Sequence, residues 1–214
     1  MAISRRIALA AAAALALAGA CADAGQARGK YEQAGDMAIG DPKAPVTLIE
    51  YASVTCGHCK SWHDTVYAPL KANYIDTGKV RFVFRELPTP PAAVASAGFQ
   101  LARCGDASPE EYLNRISVLF EQQPQVFRAL QQGAVAQQLS QIARSAGLSE
   151  EQFQACINDE AGYERIRETT KIANEKYDVT ATPTLILNGT KLSSSETLPY
   201  EALAKRIDQA LATN

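Results

Sequence analysis

The chain has 214 residues, of which 47% are hydrophobic, so it can bury one substantial core and is too short for three domains. Its formal net charge is -2, and it lacks long runs of Lys or Arg, which excludes a broadly basic surface for nucleic acid. We therefore expect a protein that folds alone and has no nucleic acid partner.

Residues 1–22 have the layout of a secretory signal peptide. Arg5 and Arg6 precede an apolar, alanine-rich stretch of about fourteen residues, whereas a membrane span needs about twenty. Several small-residue sites leave the cleavage position open. Cys21 follows small residues, as in a bacterial lipoprotein signal, so it is either lipidated, or lost with the signal or left on a disordered terminus. We expect an exported, periplasmic protein that Cys21 could anchor to lipid.

The first folded part is predicted over residues 41–89. Residues 23–40 before it are small, polar and glycine-containing, and we interpret them as a lead-in linker. The β-branched and aromatic run over 46–53 predicts a buried strand, and a helix kinked at its proline is predicted over 57–76. A second strand over 79–87 completes a strand-helix-strand unit.

Helical patterns alone occupy residues 90–177, where breaks separate four or five predicted helices. Ser108 and Ser149 are predicted N-caps, because each is followed two residues later by a Glu that suits the positive end of the helix dipole. The sequence thus predicts an all-helical insert.

The last part, residues 178–214, returns to strands. Asn188-Gly189 predicts a hairpin between two short strands. An amphipathic helix is predicted over 200–212. We expect the first and last parts to share one sheet, with the helical block inserted between them.

Four cysteines remain beyond the export region, and disulfides persist in an oxidising compartment. Three pairings are possible. The simplest joins Cys56 to Cys59, which leaves Cys104 with Cys156. This second pair closes a long loop and would stabilise the fold by about 4 kcal/mol in the chain-entropy model. Its alternative is two buried free thiols.

The sequence CGHC, residues 56–59, begins the predicted helix directly after the strand. Helix N-termini carry unpaired N–H groups and positive partial charge, which stabilise an anion such as the Cys56 thiolate. A stabilised thiolate makes the disulfide a stronger oxidant, and a protonated His58 would add to the effect. We predict that Cys56 attacks and that Cys59 resolves. Glu50 is the expected base for Cys59, its alternative being an exposed strand carboxylate.

A late Thr182-Pro183 pair, together with the strand-CGHC-helix unit, Glu50 and the helical insert, resembles the thioredoxin fold and specifically the DsbA-like thiol:disulfide oxidoreductases. The resemblance implies an α/β thioredoxin fold with an inserted all-helical subdomain. It also implies that Cys56 is the nucleophile, that Cys59 is the resolving thiol, and that Gly57 and His58 tune the pair. Thr182-Pro183 would form a cis-proline loop that pairs with the substrate backbone.

The implied activity is disulfide bond formation in exported proteins. Substrates would be unfolded or partly folded chains with free thiols, and a membrane partner would reoxidise the Cys56–Cys59 pair. The chemistry calls for no cofactor. An isomerase or reductase stays open, because exchange can run in any direction. Residues 23–40 are too short for a dimerisation domain, which favours a monomer and weighs against a dimeric isomerase.

A function of another class is a metal-binding periplasmic lipoprotein. Cys56, Cys59 and His63 form a C-x2-C-x3-H pattern, and His58 could add a ligand for zinc or copper. However, His58 lies within the turn, and no second ligand pair is spaced to close a tetrahedral site. We therefore expect no metal.

Overall fold

The computed structural model describes residues 29–213. The predicted signal peptide, its cleavage site and Cys21 lie outside the described residues. Within residues 29–213, every helix is too short or too polar to cross a membrane.

A five-stranded mixed sheet forms the centre, in the order β1-β3-β2-β4-β5. The central strands β2 and β3 are parallel, whereas β1 and β4 run antiparallel to their neighbours. The strands are β1 (Met37–Ile39), β2 (Val46–Ala52), β3 (Val80–Glu86), β4 (Thr184–Leu187) and β5 (Thr190–Lys191).

Helices connect and cover the sheet, and all the helices between β3 and β4 belong to the predicted insert. Within the described part of the chain the α-helices are α1 (Gly57–Trp62), α2 (Ala68–Leu70), α3 (Ala92–Arg103), α4 (Pro109–Glu121), α5 (Gln123–Gln131), α6 (Val135–Ser145), α7 (Glu150–Ile157), α8 (Glu160–Tyr177), α9 (Ser194–Thr197) and α10 (Tyr200–Ala212).

Strand β2 is buried on both faces, which explains its nearly continuous apolar sequence. Successive side chains of a strand point to opposite faces. Leu48 and Ala52 face the larger core, which also holds Cys59 of α1 and parts of the insert. Ile49 and Tyr51 face the smaller core under α8. Glu50 therefore points into the larger core, on the face that carries Cys59.

The helix predicted over 57–76 is present as a composite of four segments. Two π-helical turns, His63–Tyr67 and Lys71–Ile75, alternate with α1 and α2. Pro69 lies in α2, between these wider turns. Gly78 then adopts a positive φ of 72°, which glycine allows without strain, and the chain turns into β3.

The insert contains six helices, α3 to α8, so the expectation of four or five was too low. The overlooked break lies between α5 and α6, where Gly133 has a φ of 69°. A glycine in this conformation ends a helix as a C-cap, and the surrounding polar residues gave no other sign of a boundary. The predicted N-caps are confirmed, because Ser108 and Ser149 both form capping boxes.

Residues 29–40 of the lead-in are more ordered than a linker, because β1 lies among them and pairs with β3. Two buried ion pairs hold the segment to β3: Arg81 Nε lies 2.9 Å from Glu32 Oε1, and Arg85 Nη2 lies 2.8 Å from Asp36 Oδ2. These contacts depend on the folded sheet, so the sequence of the segment does not reveal them. Gly29 lies beside Thr47, near the start of β2.

Candidate active site

Cys56 follows β2 and forms the N-cap of α1. Its sulfur accepts a hydrogen bond from the backbone N–H of Cys59 at 3.3 Å, which satisfies one of the free donors at the helix end. In the thiol form, Sγ also donates to the carbonyl oxygen of Thr182 at 3.4 Å. Both CGHC cysteines are free thiols, with Cys56 half-buried and Cys59 buried.

The pKa of Cys56 is lowered from 9.0 to about 5. The largest cause is a hydrogen bond from the Cys59 side chain, and burial of Cys56 opposes it. The Thr182 side chain and the backbone N–H groups of Cys59 and His58 lower the pKa further. At neutral pH Cys56 is therefore a thiolate, which is the nucleophilic form.

Cys59 behaves in the opposite way. Burial raises the pKa of the Cys59 thiol far above its usual range, and the hydrogen bond to Cys56 and the charge of Glu50 raise it further. The backbone N–H of Ser53 lowers it, donating to Cys59 Sγ at 3.5 Å. The pair therefore contains one ionised and one protonated sulfur.

Glu50 is 1% exposed, which excludes the alternative of an exposed strand carboxylate. Its Oε1 is buried without a hydrogen-bond partner. Burial raises the pKa of Glu50 from 4.5 to about 8, and the Cys56 thiolate adds to the rise. Glu50 is thus mostly protonated at neutral pH, and its role as the base for Cys59 stays a prediction.

The Thr182-Pro183 loop lies beside Cys56, as the resemblance implied. The Thr182–Pro183 peptide bond is cis. His58 is exposed, and the group that it directs at the Cys56 sulfur is its backbone N–H. The stabilising charge expected of the imidazole ring stays a prediction.

A cluster of hydroxyl groups fixes the turn before the helix, and the sequence alone does not reveal it. Ser53 Oγ accepts from the backbone N–H groups of Thr55 and Thr89, at 3.3 and 3.1 Å. Thr55 Oγ1 donates to the carbonyl oxygen of Thr89 at 2.9 Å. The spacing of Ser53 and Thr55 before Cys56 was the available signal, but Thr89 lies 34 residues beyond Thr55.

Gln123 also contacts the catalytic turn from the helical insert. Its buried Nε2 donates to the carbonyl oxygen of Val54 at 2.8 Å and to that of Cys56 at 3.2 Å. In the sequence, Gln123-Pro124 indicates only a break between helices. That break places Gln123 at the start of α5, where its amide reaches the turn.

His63 does not join the cysteines. Its ring stacks on Tyr67 with centroids 4.5 Å apart and lies 4.9 Å from the ring of Phe120. Burial lowers the pKa of His63 to about 4 against the opposing charge of Asp64. Among residues 29–213, no three or more His, Cys, Asp and Glu side chains are grouped so as to hold a metal ion.

The second cysteine pair lies in the insert. Cys104, at the end of α3, and Cys156 of α7 form a disulfide with their Cα atoms 5.5 Å apart. This is the expected pairing. Cys104 is buried and Cys156 is half-buried.

The chain is similar to known proteins over most of its length. A family model described as Thioredoxin matches residues 32–209. A putative protein-disulfide oxidoreductase of Rickettsia typhi is 28% identical over 177 residues, which cover 82% of this chain and 62% of the relative. The disulfide bond formation protein D of Bacillus subtilis is 22% identical over 178 residues, which cover 83% of this chain and 78% of that protein.

Solved structures give the same picture. The crystal structure of Wolbachia pipientis alpha-DsbA1 matches with a TM-score of 0.76 and 28% identity, covering 85% of this chain and 94% of that one. The oxidised BdbD structure from Bacillus subtilis, at 20% identity and a TM-score of 0.69, shares the fold. The chain spans only 60 to 62% of the length of the first Rickettsia relatives.

Proposed function

The chain belongs to the thioredoxin family and is similar to its DsbA-like members, and from this premise we propose that it is a thiol:disulfide oxidoreductase that introduces disulfides into exported proteins. Cys56 and Cys59 are its redox-active pair. The α/β thioredoxin fold with a helical insert, which the sequence predicted, is confirmed.

One observation carries this proposal: Cys56 is half-buried at the N-cap of α1, where its sulfur accepts the Cys59 N–H, whereas Cys59 is buried. The pKa of Cys56 is lowered to about 5, whereas burial keeps Cys59 protonated. A stabilised Cys56 thiolate is a good leaving group and favours the reduced protein. The oxidised pair therefore tends to accept electrons from other thiols, which supports the oxidising direction.

The exchange balances in two steps. A substrate thiolate attacks Cys56 Sγ of the oxidised pair, a substrate–Cys56 disulfide forms, and Cys59 leaves as a thiolate. A second substrate thiolate then attacks the substrate sulfur, and Cys56 leaves as its stabilised thiolate. The substrate loses two electrons and gains a disulfide, and the Cys56–Cys59 pair is reduced.

Glu50 is the proton store for Cys59 in this scheme. With a pKa of about 8 it carries a proton at neutral pH, and it lies on the core face that also carries Cys59. It can give this proton to the leaving Cys59 thiolate and take it back on reoxidation. Glu50 thus serves as acid in one direction and as base in the other.

Substrates, location and partners follow from the same proposal. Half-exposed Thr182 and Pro183 lie beside Cys56, so an extended, partly folded chain can pair with this loop while its thiol reaches Sγ. The Arg-Arg and alanine-rich start of the sequence supports export to the periplasm. Continued turnover requires a membrane partner that reoxidises the pair. We further propose that the protein acts as a monomer.

The test is a reaction of the oxidised protein with a reduced, unfolded protein that contains two cysteines. Wild type should form the substrate disulfide, whereas Cys56→Ser and Cys59→Ser cannot form the internal disulfide and should be inactive. Reduced Cys59→Ser mixed with the disulfide form of the substrate should instead trap a mixed disulfide at Cys56, because the Cys56 thiolate displaces one substrate sulfur and no Cys59 thiol can resolve the product. Mass spectrometry of the unreduced digest identifies each species. Failure of the wild type to oxidise the substrate contradicts the proposal.

Equilibrium with glutathione tests the direction of exchange. We expect a potential well above the value of thioredoxin, about -270 mV, together with an ionised Cys56 at neutral pH. A potential near the thioredoxin value, with Cys56 still a thiol at pH 7, would instead favour a reductase.

A further inference from the structure

We propose that the backbone N–H of Ser53 stabilises the Cys59 thiolate as it is displaced, and that the Ser53 side chain is the positioning group that holds this N–H in place. The inference rests on the proposed exchange at Cys56 and adds a group that acts on the second sulfur.

The contact itself is buried. Ser53 and Cys59 are both fully buried, and the Ser53 N–H donates to Cys59 Sγ at 3.5 Å. A thiolate formed there is shielded from bulk water, so the protein must supply its hydrogen bonds. Among the effects on the Cys59 thiol, this backbone hydrogen bond favours ionisation, whereas burial and the neighbouring charges oppose it.

The Ala52–Ser53 peptide is held from two sides. The carbonyl oxygen of Ala52 accepts from the Leu87 N–H at 3.0 Å, which ties the peptide to the segment after β3. Because a peptide group is planar, this bond also limits the direction of the Ser53 N–H. The Ser53 side chain supplies the second restraint.

All the hydrogen-bonding capacity of the Ser53 hydroxyl is used. Its oxygen accepts from the N–H groups of Thr55 and Thr89. The Ser53 hydroxyl donates its proton to Thr55 Oγ1 at 3.0 Å, because Thr55 Oγ1 donates its own proton to the Thr89 carbonyl. Ser53 is thereby hydrogen-bonded to the backbone at Thr55 and at Thr89. Its N–H is a preorganised donor, which needs no reorganisation when negative charge develops on Cys59 Sγ.

The step concerned is the first of the exchange. The substrate thiolate bonds to Cys56 Sγ, the Cys56–Cys59 bond breaks, and the electron pair goes to Cys59 Sγ. The Ser53 N–H meets this new negative charge before Glu50 supplies a proton. Loss of the side-chain restraint should therefore slow attack on the oxidised protein. It should leave the Cys56 thiolate unchanged, because Cys59, Thr182 and His58 stabilise that sulfur.

The experiment mixes the oxidised full chain with reduced glutathione and follows the mixed disulfide at Cys56 by acid quenching and mass spectrometry. Ser53→Ala should slow its formation about tenfold, the effect of about 1.4 kcal/mol in the barrier. The thiolate absorbance of reduced Ser53→Ala should titrate as in wild type. Ser53→Thr retains the hydroxyl and should recover most of the rate.

Ser61→Ala is the matched control, because its hydroxyl donates only to the Gly57 carbonyl on the exposed side of α1, at 3.1 Å. It should react as wild type does. Thr55→Val provides a second variant that keeps Ser53, and it should slow the same step about threefold through the weakened restraint. If Ser53→Ala does not fold, Thr55→Val decides the question.

An unchanged rate in folded Ser53→Ala, or in Thr55→Val where Ser53→Ala is not obtained, overturns the inference. So does a slower rate that comes with a shifted Cys56 titration, because that marks a general loss of geometry. Failure of the proposed function looks different: oxidised wild type then forms no mixed disulfide with glutathione at Cys56.

Discussion

Glu50 and Cys56 act on the stability of the reduced protein in opposite directions. The pKa of Cys56 falls from 9.0 to about 5 on folding. The contribution of Cys56 to the free energy of unfolding is therefore complete above pH 9.0 and is lost as the pH falls through 5. The pKa of Glu50 rises from 4.5 to about 8 on folding. The contribution of Glu50 to the free energy of unfolding is therefore complete below pH 4.5 and is lost as the pH rises through 8. Between about pH 5 and 8 the two effects largely cancel.

Replacing Glu50 with Gln should reveal the contribution of Cys56. The free energy of unfolding of reduced Glu50→Gln should rise with pH between about 5 and 8, whereas that of the reduced wild type stays nearly constant. Oxidised wild type has no Cys56 thiolate, so its free energy of unfolding should fall over this range, because Glu50 keeps its proton in the folded state and loses it in the unfolded state. Urea unfolding at several pH values measures the free energy of unfolding of reduced Glu50→Gln, reduced wild type and oxidised wild type.

Glu151→Gln is a suitable control, because this carboxylate is exposed on α7 and far in sequence from Cys56 and Cys59. It should leave the pH dependence of the wild type unchanged. Equal slopes for reduced wild type and reduced Glu50→Gln would show that Glu50 does not titrate with a raised pKa.

The residues of the site differed in how far the sequence could reveal them. Glu50, Cys56 and Cys59 lie within ten residues of one another, so their strand and helix positions follow from local patterns. Ser53 was hidden because its partner Thr89 lies 36 residues away, on a loop whose position depends on the sheet. Burial also depends on the fold, which is why the protonated state of Glu50 could not be predicted.

At the level of elements, α5 is the helix of the insert whose first side chain forms hydrogen bonds to the catalytic turn. Its first residue, Gln123, bonds to two carbonyl groups of that turn. Gln123→Met keeps the bulk of the side chain but removes both donors, leaving the buried Val54 carbonyl without this partner. We expect the free energy of unfolding to fall by about 1–3 kcal/mol, measured by urea unfolding.

Gln137→Met on the exposed face of α6 is the comparison, since it changes the same residue type where no buried carbonyl depends on it. Its stability should stay within about 0.5 kcal/mol of wild type. Equal stabilities for the two variants would show that water replaces the Gln123 hydrogen bonds at no cost.

Elements with a strong local pattern were predictable, and those fixed by distant contacts were not. The helix over 200–212 and the hairpin at Asn188-Gly189 carry clear signals and are confirmed. Strand β1 has only three residues, too few for an alternating pattern, and forms because β3 and its buried arginines lie beside it. The extra helix boundary depended on the conformation of a single glycine, Gly133.

For the whole molecule, the disulfide between α3 and α7 is separate from the redox pair. It closes a loop with a sequence separation of 52 residues. The double variant Cys104→Ser/Cys156→Ser should lose about 4 kcal/mol of the free energy of unfolding in the chain-entropy model. Its reaction with thiols at Cys56 should match that of wild type, as long as the assay temperature keeps it folded. Altered exchange in the folded variant would show that the disulfide also serves the redox pair.

The anchoring of the lead-in to β3 also determines where a tether can be attached. Gly29 lies near the start of β2, and Cys56 follows the far end of this seven-residue strand. Seven residues in extended conformation span about 23 Å. A surface coupling or fluorescent tag joined at Gly29 is thereby attached at the end of the sheet remote from the reactive sulfur. The protein is therefore well suited to immobilisation through its N-terminal side, with the reactive face presented to solution.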